Sequence, residues 1–490
     1  MGVIVIGAGL AGLAAAAHLR GRGHDVTLVE REPAPGGRAG RIVRDGFTFD
    51  TGPTVMTMPD LVQDALTAIG RRLDDVVPMR RLDPGYRAVY ADGSEILTRA
   101  RHEDMHAEIA RTCGSVDAAA YDDFVVWLRK LYRTEMPHFI DANFDSALDL
   151  LRSPAAAARL LRLGGFGRLG KAVDRFFSDD RLLRLFSFQA LYAGLPPRDA
   201  LAIYAVITYM DSVEGVWFPE GGMGAIPAGM ARALADAGVE QRYSATVESL
   251  VRGPQGRIDG VRLTGGEQLT ADAVVTTLDL PVAYERLLPD VAPPSVVRRG
   301  SYSPSCVVWH LGVRGTPAQH VAHHNIHFGD QWNEAFDDLI RDGRLMRDPS
   351  RLVSVPTITE PSLAPEGCST LYVLEPVPNL TGTVDWRRER EPMRARLLEF
   401  LEQAGYPTDI VTEEFVDPLD WQAQGMHQGT PFAMAHEFLQ TGPFRASNIE
   451  PKAPGLVFAG SGTVPGVGVP MVLVSGKLAA DRVDDYLGSA

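Results

Sequence analysis

Residues 2–31 read GVIVIGAGLAGLAAAAHLRGRGHDVTLVER. Val3 to Ile6 is a short β-branched run of the kind a buried strand needs. Gly7, Gly9 and Gly12 then stand in G-x-G-x-x-G spacing at the head of an alanine-rich helix, which Gly21 and Gly23 end. Val26 to Val29 makes a second strand run, with Glu30 at its tip. Strand, glycine turn, helix, strand and acidic tip together specify a dinucleotide-binding βαβ unit. Gly7 takes the tight turn, Gly9 lets the backbone approach a pyrophosphate, and Gly12 lets helix and strand pack closely. The backbone of Ala8, Leu10 and Ala11 belongs to the same cradle, where free N–H groups and the positive end of the helix dipole meet the phosphates. Glu30 can accept hydrogen bonds from the adenosine ribose. FAD and NAD are both compatible with this unit taken alone.

The next residues favour FAD. REPAPGGRAGR (31–41) offers the backbone N–H groups of Gly36, Gly37 and Arg38 and the Arg38 guanidinium to a pyrophosphate, with Arg31 expected at the same cofactor site. DGFTFDTGPTVM (45–56) then alternates into a strand at Phe47 to Asp50 and turns at Thr51, Gly52, Pro53 and Thr54. An NAD domain continues into another βα unit, whereas this chain makes a hairpin. Further on, Ala225–Ala237 reads as a helix, Gln241–Leu250 and Ile258–Leu263 as strands around GPQGR, and Ala271–Asp279 as a parallel-type strand. The residues from about 291 to 414 are β-rich with proline breaks.

At 490 residues, with 45% hydrophobic residues, the chain has material for two or three substructures around large cores. It shows no apolar run of membrane-spanning length, and with the first strand starting at once no signal or transit peptide is expected. The net charge of −14 argues against a nucleic-acid partner. Cys113, Cys306 and Cys368 lie far apart, as in a reducing cytosol. His320, His323, His324 and His327 match no zinc spacing, and no metal is expected. Between Arg152 and Arg184, eight basic residues interleave with Leu and Phe at helical spacing. Such a stretch suits either an anionic membrane surface or a helical lid on the protein's own core.

Several long strings resemble the bacterial-type phytoene desaturase family. They are the glycine fingerprint, GFTFDTGPTV, GVWFPEGGMGAIPAGMARALADAG (215–238), HHNIHFG (323–329), PSLAPEGCSTLYVLEPVPNL (361–380), FLQTGPFRASN (438–448) and the C-terminal GLVFAGSGTVPGVGVP (455–470). The resemblance spans nearly the whole chain. It implies an α/β flavoprotein with a Rossmann-type FAD-binding domain, amine-oxidase-like, a mixed-sheet substrate domain and a helical membrane-contact portion. The expected division gives 1–75, 215–290 and 415–490 to the FAD domain, 76–120 and 291–414 to the substrate domain, and 121–214 to the helical lid. The resemblance also implies Val247 beside adenine, and an apolar C40 carotenoid substrate dehydrogenated stepwise from phytoene to lycopene or neurosporene. Flavin N5 would take the hydride, oxygen or a quinone would take the electrons, and the enzyme would lie peripherally on the membrane from the cytoplasm. Asp149 and Arg152 match positions where polar residues face the flavin, as base and electrostatic partner; a surface i,i+3 ion pair is the other reading.

In the C-terminal stretch, Leu456–Ala459 reads as the last strand of the first nucleotide domain. Gly460, Gly466, Val467, Gly468 and Val469 lead into a helix near Met471–Tyr486, with Pro470 in its first turn. That helix would aim its positive end at the flavin pyrimidine edge, the glycines lying flat against the ring. Other carotenoid-pathway flavoenzymes (a 3,4-desaturase, a diapophytoene desaturase, an oxygenase or an isomerase) share much of this pattern. An amine oxidase would carry an acid where Ser461 follows Gly460, and a prenyl-binding carrier would not need every glycine turn.

Overall fold

The computed structural model describes residues 1–489, the side chains of residues 151 and 489 excepted. Its central sheet is parallel and five-stranded. The order is Leu456–Phe458, Ala273–Thr276, Gly2–Ile6, Asp25–Val29 and Glu240–Arg242. Strands from the beginning, middle and end of the chain therefore share one sheet. The helix Leu10–Gly21 connects the first two in sequence and is buried on all sides from Leu10 to Leu19. Its alanines have a packing reason. The C-terminal helix Val469–Ser489 crosses it so closely that a Cβ at Gly476 would lie 2.4 Å from the Ala11 carbonyl and 2.8 Å from Ala14 Cβ. Larger side chains on either helix would push the two apart.

The expected strand Gln241–Leu250 is two elements. Glu240–Arg242 ends the parallel sheet, Ser244 at φ 52° turns the chain, and Val247–Arg252 opens a three-stranded antiparallel sheet with Ile258–Leu263 and Gln268–Thr270. The hairpin after the first unit pairs Arg41–Arg44 with Phe47–Asp50. At its end the Asp50 carboxylate accepts the Met223 and Gly224 N–H groups at 2.8 and 2.7 Å, capping the entry to the helix Ala225–Asp236. GFTFDTGP and FPEGGMGA, far apart in sequence, meet there.

A mixed seven-stranded sheet runs in the order Asp409–Val416, Ser305–Arg314, Cys368–Val377, Arg351–Ser354, His324–His327, Arg87–Val89, Glu95–Leu97. The strand Ser305–Arg314 is buried on both faces and divides its side chains by parity. Val307, Trp309, Leu311 and Val313 pack with Trp386, Met393, Leu397 and Leu401 of the helix Trp386–Gln403. Cys306 and His310 point the other way, into a cavity. The roof of that cavity is helical, from Ser115–Glu135, Pro154–Arg162 and Ala205–Ser212 with short turns between.

In the basic stretch, Leu160, Leu169, Phe177, Leu182, Leu185 and Phe186 are buried in the protein's own core, whereas Leu161 and Phe166 are exposed. The cysteines are free. His323 bonds Thr359, His324 bonds the Gly85 and Thr54 carbonyls, and His327 bonds the Tyr406 hydroxyl.

Candidate active site

One cavity of ≈ 1180 Å³ runs from the ends of the parallel strands, between the seven-stranded sheet and the helical roof. Of the cofactor residues expected from the sequence, all but Ala8, Gly12 and Gly466 line it. Each exception has a structural place. The Ala8 N–H donates to Glu30 Oε2 at 2.6 Å. A Cβ on Gly12 would lie 1.9 Å from the Gly7 carbonyl, which is the close helix–strand packing its spacing requires. At Gly466 (φ +144°) a Cβ would lie 2.2 Å from His436 Cε1, so this glycine clears the imidazole and not a flavin face. Gly468 (φ +115°) does face open space, its nearest neighbour being 3.9 Å away.

The cradle suits a dinucleotide. Gly7 has φ +103°, and a Cβ on Gly9 would meet nothing closer than 3.9 Å. The first intrahelical bond runs from Leu13 N–H to the Gly9 carbonyl, so the opening N–H groups face the cavity without helical partners. Glu30 is buried. Besides Ala8, it accepts the Glu32 N–H at 2.9 Å, and its remaining lone pairs suit a ribose diol. Arg38 lines the cavity and donates to the Pro431 carbonyl and, at 2.9 Å, to Ser461 Oγ. Burial lowers its pKa, and it makes no ion pair among the described residues. A half-buried guanidinium that feels the Asp279 charge but is held in no ion pair suits an anionic ligand such as a pyrophosphate. Arg31 also lines the cavity, but its Nη2 donates to the Gln424 carbonyl and its Nε pairs with Glu32. Gly52 abuts the Arg38 carbonyl, 2.0 Å from its own would-be Cβ.

At the opposite end the C-terminal helix begins at Val469, two residues earlier than its sequence suggests. Gly468 to Val472 line the cavity, so the positive helix end faces it. The turn before the helix is held by Arg445, buried, whose guanidinium donates to the Ser461, Thr463, Gln440 and Met434 carbonyls at 2.6–3.3 Å. Beyond it the wall turns apolar: Phe139, Ile140, Phe144, Leu150, Leu160 and Phe166 from the roof, and Ile326, Phe328, Trp332, Phe336 and Leu374 from the sheet side.

Residues 10–484 match the family of flavin containing amine oxidoreductases. A phytoene dehydrogenase of Streptomyces griseus is 50% identical over 98% of this chain and 94% of its own length. The chain belongs to the phytoene desaturase family. Two other relatives are the zeta-carotene-forming phytoene desaturase of Myxococcus xanthus (37% identical, 98% of this chain, 93% of that one) and the lycopene-forming phytoene desaturase of Pseudescherichia vulneris (34%, 99% of each). An oxidoreductase from Methanosarcina mazei shares the fold, with a TM-score of 0.63 at 18% identity over 98% of this chain and all of that one. The cofactor of this phytoene desaturase family member is FAD, which when bound supplies a two-electron acceptor for a hydride. The chain's glycine turns, Glu30 and Arg38 are the groups present to hold it.

The pair matched to the family's flavin-facing residues is elsewhere. Asp149 and Arg152 lie in the 3₁₀ turn Ala147–Arg152, and neither lines the cavity, whereas Leu150 does. The Asp149 carboxylate accepts the Asp145 and Ser146 N–H groups at 2.6 and 3.1 Å and pairs with Arg152 at 2.8 Å. Those N–H groups hold its pKa below the ordinary value. The i,i+3 spacing made them partners of one another.

The cavity has instead two buried acids on its helical wall, Glu135 and Asp211. Asp211 accepts from Gln189 Nε2 at 3.2–3.3 Å and Ser212 Oγ at 2.7 Å, and burial raises its pKa to about 7. Burial alone raises that of Glu135 well above the usual carboxyl range. One sequence signal marks Glu135. Phe124, Leu128 and Leu131 form the buried stripe of the helix Ser115–Glu135, and the next position of that stripe is the acid.

Proposed function

We propose that this FAD-dependent carotenoid desaturase acts on phytoene and removes hydrogen in successive steps, giving lycopene or neurosporene. The reading rests on one observation. The cavity that begins beside the glycine turn of the first strand continues, past the glycine turn at 460–468, into a wall that is predominantly aliphatic and aromatic. A saturated isoprenoid segment offers no polar group for recognition, so burial of apolar area, about 25 cal/mol per Å², has to bind it. Partition out of lipid offsets much of that gain, and the cavity's shape then decides which CH₂–CH₂ unit stands at the flavin. The chain divides functionally into the discontinuous FAD domain, the substrate domain built on the seven-stranded sheet, and the helical roof.

The same reading places the enzyme peripherally on the cytoplasmic face of a membrane. No helix among the described residues is long and apolar enough to cross one. Exposed Leu148, Leu161, Phe166, Phe438 and Leu439 lie on neighbouring turns around the cavity's helical wall, beside the exposed cations Arg159, Arg162 and Arg168. Apolar side chains flanked by cations suit insertion beneath anionic headgroups. Substrate would enter there from the bilayer, and oxygen or a membrane quinone would accept the electrons.

Expression beside a phytoene-producing pathway in a colourless host tests the function. Lycopene or neurosporene, identified by chromatography, is the expected result. Unchanged phytoene overturns the substrate, and an oxygenated product overturns the reaction.

A further inference from the structure

Glu135 is a buried carboxyl in the wall of an apolar cavity, and its Oε1 has no hydrogen-bond partner among the described residues. An uncompensated buried polar atom is unfavourable, and a leucine at this position would simply complete the stripe. Its surroundings suggest why an acid stands there. The helix Ser115–Glu135 widens after Glu135 into a π-helical turn, Met136–Ile140, where Pro137 has no N–H to donate. Met136 packs against the cluster of Val464, Val474 and Leu478, that is, against the glycine turn and the C-terminal helix, and it borders with Met471 the cluster of Met58, Val206 and Met210. Residues 141–145 are then strapped along that helix: Asp141 to Lys477, Asn143 to the Leu478 carbonyl, Asp145 to Arg482. Glu135 thus sits at the seam between the helix end that opens on the cavity and the apolar part of the cavity wall.

We propose that the Glu135 carboxylate is the proton acceptor of the desaturation, receiving at Oε1 the proton of the carbon next to the one that gives up its hydride. The assignment rests on the desaturase reading. One C–H bond breaks with both electrons leaving as hydride to the flavin. The resulting allylic cation loses H⁺ from the adjacent carbon to Oε1, and the electrons of that second C–H bond close the new double bond. The carboxyl returns its proton to solvent as a quinone or oxygen reoxidises the flavin. In a cavity with an apolar wall, a fixed carboxylate also offsets the positive charge that builds up on the substrate. The other buried acids at the cavity are committed. Asp211 is held by Gln189 and Ser212, Asp279 by the Leu280 and His427 N–H groups, and Glu30 by Ala8 and Glu32.

Titratable groups on the elements packed around Glu135 are few. Tyr204 donates to the His436 carbonyl and Thr441, Tyr209 donates to Glu214, and burial keeps His436 neutral. Lys477 is paired with Asp141, and Arg159 is exposed. A raised carboxyl pKa means that the ionised, competent fraction grows with pH. Flavin bleaching should therefore rise with pH along a limb above the ordinary glutamate range.

The test uses the FAD-loaded protein on phytoene-containing liposomes without oxygen. Flavin bleaching is followed against pH in the parent, Glu135→Gln and Glu135→Asp. Glu135→Gln should slow bleaching about 10²–10⁴-fold and abolish the pH limb at unchanged FAD content; Glu135→Asp should slow it less and keep the limb. Two readouts need no turnover. Infrared difference spectra of the parent should show a protonated-carboxyl band that titrates with the same apparent pKa as bleaching and is missing in Glu135→Gln. Glu135→Leu should raise the thermal midpoint of the unloaded protein. A Glu135→Gln protein bleaching within a few-fold of the parent, or an infrared titration displaced from the kinetic one, overturns the assignment and leaves the desaturase reading standing. A parent that never bleaches with phytoene overturns that reading first.

Discussion

Replacing Gly466 by alanine should damage the protein through His436. The new Cβ would stand 2.2 Å from Cε1 and 2.5 Å from Nε2 of a buried ring, whereas heavy atoms ordinarily approach to about 3.5–4.0 Å. The imidazole would have to retreat by more than about 1 Å, and it is held in place. Its backbone N–H donates to the Ala193 carbonyl at 2.9 Å, its own carbonyl takes the Tyr204 hydroxyl at 2.9 Å, and its ring packs edge-on to Tyr204 at 5.6 Å. Overpacking of this kind costs about 1–3 kcal/mol, and an L residue at φ +144° adds about 1–3 kcal/mol of backbone strain. Gly466→Ala should therefore lose about 2–6 kcal/mol in urea unfolding of the unloaded protein, followed by tryptophan fluorescence. In the His436→Ala background the overpacking share should vanish, so the coupling measured by the double-mutant cycle should be about 1–3 kcal/mol. A Gly466→Ala protein that is fully stable until FAD is added, or a cycle with no coupling, would refute the reasoning and restore the flavin as the excluded neighbour.

Glu30→Gln keeps the shape but sets an amide against either the Ala8 or the Glu32 N–H and removes the charge; fluorescence titration should show FAD affinity down about 10–100-fold with the fold intact. Asp211 holds its proton to about pH 7 when folded but releases it near 3.8 when unfolded. Its contribution to stability is thus fully present below pH 3.8 and lost as pH rises toward 7, by at most about 4 kcal/mol. Asp211→Asn should flatten that part of the pH–stability curve, and denaturant midpoints between pH 5 and 8 check it. Serines at Leu161, Phe166 and Leu439 together should weaken co-sedimentation with phosphatidylglycerol vesicles by about 100-fold or more. Neutralising Arg159 and Arg162 should lower binding chiefly at low salt, by about 1 kcal/mol per charge.

The glycine turn after the first strand was legible because its determinants are local. A positive φ at Gly7 and the Gly12–Gly7 contact arise within a few residues, so the spacing of glycines carries the geometry with it. The two-ended sheet was legible for a related reason, since buried parallel strands read as short apolar runs wherever they fall. Where the reading went astray, the missing information was the identity of a distant neighbour. Gly466 announced that something excludes a side chain, but His436 lies thirty residues earlier and no periodicity links them. Asp149 and Arg152 announced a pair, but spacing does not say which way a pair faces. Tyr243 to Thr246 broke an expected strand because Ser244 takes a left-handed conformation that its residue type does not demand. Glu135 was the opposite case: its place in the stripe of Phe124, Leu128 and Leu131 was visible in the sequence, and only the cavity gave it meaning.

The sharing of one sheet by strands 2–6 and 456–458, and the clasp of Gly476 on Ala11 and Ala14, bear on how the cofactor is acquired. During synthesis at about 5–20 residues per second, the glycine turn after the first strand waits about 20–90 s for the turn that lines the other end of the cavity. Over that interval the side of the first helix that carries Ala11 and Ala14 lacks the C-terminal helix that covers it, and a dinucleotide could be gripped only at one end. Loading is thus an event of the finished chain. Any lesion that frees the last helix would release the flavin and uncover the first helix together, so loss of yellow colour should accompany the first step of unfolding.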